Sequence, residues 1–194
     1  MDYDQALIDV LRATHLVCFA AGMGTGVYFD FRTFRTLGDP INFADIRSLE
    51  RLHLWIFAAF CGLWVTGIAL IYVRTAFDIS SFSPKLWLKI GVMSLLVVNS
   101  LAISRVVIPV LRASVGSAMI ALPTARLLII SQIAIISMYC WSSGLLLGSS
   151  VVLKHAHWQV LLPLAAMWLA LLTVLGQMAV VLVRRRQPVS SEAS

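Results

Sequence analysis

Charge is what this sequence has least of. Only 12% of its 194 residues are Asp, Glu, Lys or Arg, while 60% are hydrophobic and the mean hydropathy is +0.90. Soluble domains carry about 25% charged and about 45–50% apolar residues. A soluble domain of this length cannot hide so much apolar surface, so that class is excluded. Cysteine is scarce too. Cys18, Cys61 and Cys140 each stand inside an apolar run, and none has C-x-x-C spacing. That excludes a disulfide framework and a zinc knuckle. There is no Walker loop, H-E-x-x-H, nucleophile elbow or acidic pair, so hydrolase and ATPase readings lack a basis. Nor is there an internal repeat, or the inverted pair of broken helices that many transporters show. The opening residues, "MDYDQALIDVLR", have neither a basic n-region nor a small-residue cleavage site. The first apolar run is therefore expected to remain as an anchor.

What is present is a set of long apolar runs. A helix needs about 20 apolar residues to cross the hydrocarbon core. Runs near 8–29, 52–73, 85–104, 127–149 and 157–183 meet that length. Backbone amides must be satisfied inside lipid, so each is expected to be helical. The expected fold is an all-α bundle of five transmembrane helices, forming a single domain over residues 1–186. The polar tail 187–194 is expected to be disordered. Asp9 and Arg12 interrupt the start of the first run, whose unbroken part is Ala13 to Phe29.

The net charge of +6 reads as topology rather than as a nucleic-acid footprint, and no nucleic-acid partner is expected. With five spans, Arg32, Arg35, Arg47, Arg51, Arg105, Arg112, Arg126, Arg184, Arg185 and Arg186 fall on one side. The other side holds only Arg12, Arg74, Lys85, Lys89 and Lys154. Basic residues collect on the cytoplasmic side. This predicts the N-terminus outside and the C-terminus inside, in the bilayer of a bacterial inner membrane. The first inner loop has a turn at Gly38-Asp39-Pro40 and a short helix from Ala44 to Arg51. The second is apolar for a loop. It is expected to continue the third helix to about Leu111 and then lie in the interface as an amphipathic piece, with Pro123 stopping any helix before the fourth span.

Polar residues within the runs are the functional candidates. Thr14, Cys18, Gly22 and Gly26 recur every four residues on the first span. At 100° per residue, Gly22 and Gly26 lie within about 20° of His15. One reading is helix packing, for which small residues are the usual device. The other is a slot for a planar ligand such as a porphyrin or haem, with Gly22 and Gly26 as its floor and His15 as axial ligand or acid/base. Lys89 lies about one and a half turns into the third span. It either snorkels to the interface or faces the bundle near His15 and holds a carboxylate. His157, in "LKHAHWQ", is a candidate second metal ligand with His15. Its i,i+2 spacing from His155 does not put both on one helix face. Cys18 and Met23 add soft atoms that suit copper(I), or simply fill a membrane core. Asn99 and Gln132 suit interhelical hydrogen bonding, and His53 the interface.

These elements resemble the HemJ-type membrane protoporphyrinogen oxidases and the related CopD-like small bacterial membrane proteins. The resemblance runs through His15, Gly22, Gly26, Tyr28 and Phe29 on the first span. It continues through the tryptophan–x–x–glycine element of "LWVTGIALIYV" (63–73) and the lysine of "PKLWLKIGVMSLLVVN" (84–99). It implies a b-type haem and a redox activity in which His15 and Lys89 are functional. Asn99 stands where those proteins carry a histidine, and residues 105–194 fall outside the resemblance. Two alternatives stand beside it: a non-enzymatic subunit of a homo-oligomer or larger membrane complex, and copper handling through His15, Cys18 and Met23.

Overall fold

The computed structural model describes residues 3–186; the tail expected to be disordered, 187–194, lies outside the described residues. Five long helices make up the fold: α1 (Tyr3–Arg35), α2 (Phe43–Thr75), α3 (Pro84–Ala113), α4 (Thr124–Ser149) and α5 (Trp158–Arg186). All five are long and apolar enough to cross a membrane, which makes this a multi-pass membrane protein. Among the described residues there is no strand, only an isolated bridge between Pro40 and Ala118.

The helices outrun the apolar stretches because hydropathy marks the lipid core and not the end of hydrogen bonding. Asp9 and Arg12 do not break α1; they pair with each other across one turn at 3.3 Å. The short helix expected at Ala44–Arg51 is the first two turns of α2 itself. A capping box starts that helix. Asn42 Oδ1 accepts from the Asp45 amide at 2.9 Å, and Asp45 Oδ2 accepts from the Asn42 amide at 3.3 Å, satisfying donors that a helix start leaves open. In α3, Ser83 caps the first turn and Pro84 occupies its first position, where a missing N–H costs nothing. The helix passes through a π turn at Ile103–Val107 and ends at Ala113. Pro123 sits just before α4, as expected of a residue that cannot continue a preceding helix.

Lipid supplies no hydrophobic force between helices, so close packing and polar contacts must hold them. α1 runs along α2, α3 along α4, and α4 along α5. One core cluster joins Phe60 and Leu63 of α2, Val92 and Leu96 of α3, Tyr139, Cys140, Trp141 and Leu147 of α4, and Leu161 of α5. A second cluster lies at the end opposite the N-terminus, where Ile41, Ile46 and Leu49 meet Val107, Leu111, Leu122 and Ile130. There the two connecting loops are tied by their backbones. Ile41 N–H donates to Ser117 O at 3.0 Å, Gly116 N–H to Ile41 O at 2.9 Å, and Ile120 N–H to Leu37 O at 3.0 Å. The 114–123 segment thus buries Ile120 and Leu122 and leaves Gly116, Ser117 and Ala121 exposed.

Candidate functional site

His15 is half-buried on α1, five turns before the helix end, and points at α2. Its Nδ1 lies 2.9 Å from Thr66 Oγ1. The Thr66 hydroxyl lies 2.7 Å from the Gly62 carbonyl and 3.2 Å from the Leu63 carbonyl. A carbonyl can only accept, so the single hydroxyl proton goes to the backbone. Thr66 Oγ1 is then left to accept from His15 Nδ1–H. In the neutral ring this places the proton on Nδ1 and leaves the lone pair on Nε2. The Leu63 backbone makes a second hydrogen bond with the ring. Gly67 lies against the same ring, where a Cβ would stand in ordinary contact, 3.4 Å from His15 Cε1.

The rest of the predicted face does not belong to the same pocket. His15, Gly22 and Gly26 share one side of α1, yet α2 covers the first and α4 the other two. The Trp141 indole, 2% exposed, lies on the glycines. A Cβ at Gly22 would overlap the six-membered ring of Trp141, and one at Gly26 would stand 3.5 Å from its Nε1. Phe19 meets the same indole edge-on, with centroids 5.5 Å apart and planes at 71°. A planar group does lie on the glycine floor, and it is the protein's own side chain. This is the packing role that small residues take in membrane helices.

Lys89 comes to the His15 end of the bundle, within electrostatic range of His15, Lys85 and Arg74. It is half-buried, and no ion pair reaches it among the described residues. Lys85, one turn earlier on α3, donates to the Ser150 carbonyl at 2.5 Å. His157 is exposed immediately before α5, and no hydrogen bond joins it to His15. No group of three or more His, Cys, Asp or Glu side chains among the described residues is placed to hold a metal ion. Cys18 packs its sulfur where a Gly62 side chain would stand, 2.7 Å from that Cβ position, and Met23 packs against the core cluster.

Gln132 takes the expected interhelical role, and His53 has hydrogen-bond partners that were not expected. Gln132 donates to Thr173 at 3.3 Å and accepts from Gln177 at 3.0 Å, tying α4 to α5. His53 Nε2 sits between the hydroxyls of Ser100, at 3.3 Å, and Ser104, at 3.1 Å. Asn99 is 4% exposed and its Nδ2 lacks a partner among the described residues. Thr66, Gly67 and Trp141 were not singled out as site residues from the sequence. Gly62 and Thr66 do carry a small-residue spacing of four, the same spacing as Cys18 and Gly22, and that signal marks the α1–α2 contact. Nothing local distinguishes Trp141 from the other five tryptophans.

No family model, curated protein or solved structure matches the chain.

Proposed function

We propose that this multi-pass membrane protein binds a haem- or porphyrin-type group beside His15 and Lys89 and serves a redox role in a bacterial inner membrane, with its N-terminus outside. The observation that supports it most is the oriented imidazole. A histidine that ligates a metal through one nitrogen ordinarily donates its other N–H to an oxygen, which fixes the tautomer and the ring plane. Thr66 supplies that oxygen to Nδ1, and the Leu63 backbone is a second partner of the ring, so His15 Nε2 would be the ligating nitrogen. Lys89 supplies a cation without an ion-pair partner among the described residues, suited to a propionate. The resemblance to HemJ-type enzymes falls on these same two residues.

The fit is partial. His15 and Lys89 suit haem b, whereas Gly22 and Gly26 do not serve as its floor while Trp141 covers them. When bound, such a group would supply one-electron chemistry. This chain would hold it by His15, anchor its carboxylate by Lys89, and keep the His15 ring oriented through Thr66. A second reading, a non-enzymatic subunit of a larger assembly, gains from Trp141, because the glycine face then needs no ligand. The copper reading gains nothing comparable, since Cys18 and Met23 are engaged in packing.

The test is the absorption spectrum of detergent-purified protein supplied with haem, recorded with and without dithionite. A Soret-type band in the wild type that is lost in His15→Ala and weakened in Lys89→Ala supports haem binding. Protein that stays colourless after haem is supplied overturns it and leaves the subunit reading.

A further inference from the structure

The structure carries a second site, at the far end of the bundle and independent of the haem reading. We propose that the cleft between the start of α2 and the end of α3 binds the phosphodiester headgroup of an anionic phospholipid.

The cleft has a volume of about 310 Å³ and is lined by Phe43, Ile46, Arg47, Glu50 and Arg112. Its charges do not balance. Glu50 of α2 pairs with Arg112 of α3 and pins that guanidinium across the cleft. Arg47 is exposed and has no ion pair among the described residues. One carboxylate thus faces two guanidiniums. Arg51 follows Arg47 by four residues on the same helix face, and Arg105 precedes Arg112 by seven. Neither lines the cleft itself, and neither has an ion pair among the described residues, so each adds unpaired positive charge to the helix that carries it. Like charges at this spacing repel, and an anion between them removes the repulsion. Guanidinium forks match the paired oxygens of a phosphate.

Depth and composition select the lipid over a soluble phosphate. The cleft lies at the first two turns of α2 and the last turn of α3, both ends of spanning helices. That is where headgroups sit, and basic pockets between helix ends are known to hold anionic ones. Phe43 is 66% exposed on the cleft wall, an apolar surface for the glycerol and upper acyl chains and of no use to a free anion. The α2 amides are not the ligand, because the Asn42–Asp45 capping box engages the helix start.

Native mass spectrometry of the full chain in detergent tests this, with phosphatidylglycerol and phosphatidylcholine as probes and water-soluble glycerol phosphate as competitor. Phosphatidylglycerol should be retained preferentially. Arg47→Gln and Arg112→Gln should each weaken retention about fivefold, the share of one basic residue at an anionic surface. Arg47→Lys should keep most of it, and Arg185→Gln, a basic residue at the same end on α5, should change nothing. Equal retention of the two lipids overturns the proposal. So does an Arg185→Gln loss as large as that of Arg47→Gln, which would mark bulk surface charge, and so does displacement by glycerol phosphate, which would mark a soluble ligand. If Arg112→Gln fails to fold once Glu50 is unpaired, Arg47→Gln, an exposed side chain outside any ion pair among the described residues, decides the matter alone.

Discussion

The two ends of the bundle hold their histidines through different ring nitrogens. At the N-terminal end, His15 is held through Nδ1 by a threonine whose proton is already committed to the backbone, with the Leu63 backbone as a second partner of the ring. At the other end, His53 has its Nε2 closed in by two serines, Ser100 and Ser104, beside a π turn. The surroundings follow the same division. The His53 end is sealed by loop-to-loop backbone bonds and by the Arg32–Asp45 and Arg112–Glu50 pairs. The His15 end places Lys89 within electrostatic range of Lys85 and Arg74. Residue type and depth do not separate the two histidines; which ring nitrogen takes the side-chain hydrogen bond does.

The largest effect should come from the packing that underlies this contrast. Trp141→Ala removes a buried indole shared by α1 and α4. It should lower stability by about 3–5 kcal/mol, the cost of truncating a core aromatic, measured by thermal unfolding in detergent. A near-neutral result would mean that Trp141 does not lie on the glycine face. Next comes Gly22→Val. It drives methyl groups into the same indole and should cost about 1–3 kcal/mol. Gly24→Ala, where a Cβ meets nothing within 4 Å, should leave the melting temperature unchanged or slightly raised, since alanine is the better helix former. Equal behaviour of the two glycine variants would remove the argument for a covered floor.

Smaller effects sharpen the comparison between the ends. Thr66→Val deletes the acceptor of His15 Nδ1–H while keeping side-chain volume. It should cost about 1 kcal/mol and, under the proposed haem reading, reduce retention of supplied haem, whereas Ser104→Ala at the far end should leave that retention intact. The smallest change should follow Glu50→Gln. That ion pair is partly exposed and worth about 0–1 kcal/mol, so urea or thermal unfolding should barely move. A large loss there would show that the far end depends on its ion pairs rather than on its apolar cluster.

Much of the fold was legible in the sequence, because membrane spans are written as composition. All five runs became helices, and α4 begins within three residues of where apolarity begins, at Thr124. The ends were less legible. Helices continue into polar water-facing turns with no hydropathy signal, so α2 absorbs the segment from Phe43 to Arg51. At the site, His15 and Lys89 stood out because charge is costly in lipid, and they do come to the same end. The glycine floor misled for a specific reason. Helical angle tells which residues share a face, but a long helix meets different neighbours along that face. Here α2 takes His15 and α4 takes Gly22 and Gly26. Which of six tryptophans fills such a face is a tertiary fact with no local mark.

Thr66 accepting from His15 Nδ1–H puts the ring proton on Nδ1 and the lone pair on Nε2. Nitrogen-15 NMR of histidine-labelled protein, with His53, His155 and His157 replaced so that His15 reports alone, measures this directly. Recorded above the pH range where imidazole titrates, it should give a pyrrole-like Nδ1 and a pyridine-like Nε2, and Thr66→Val should erase that preference. A protonated Nε2 in the wild type would contradict the account.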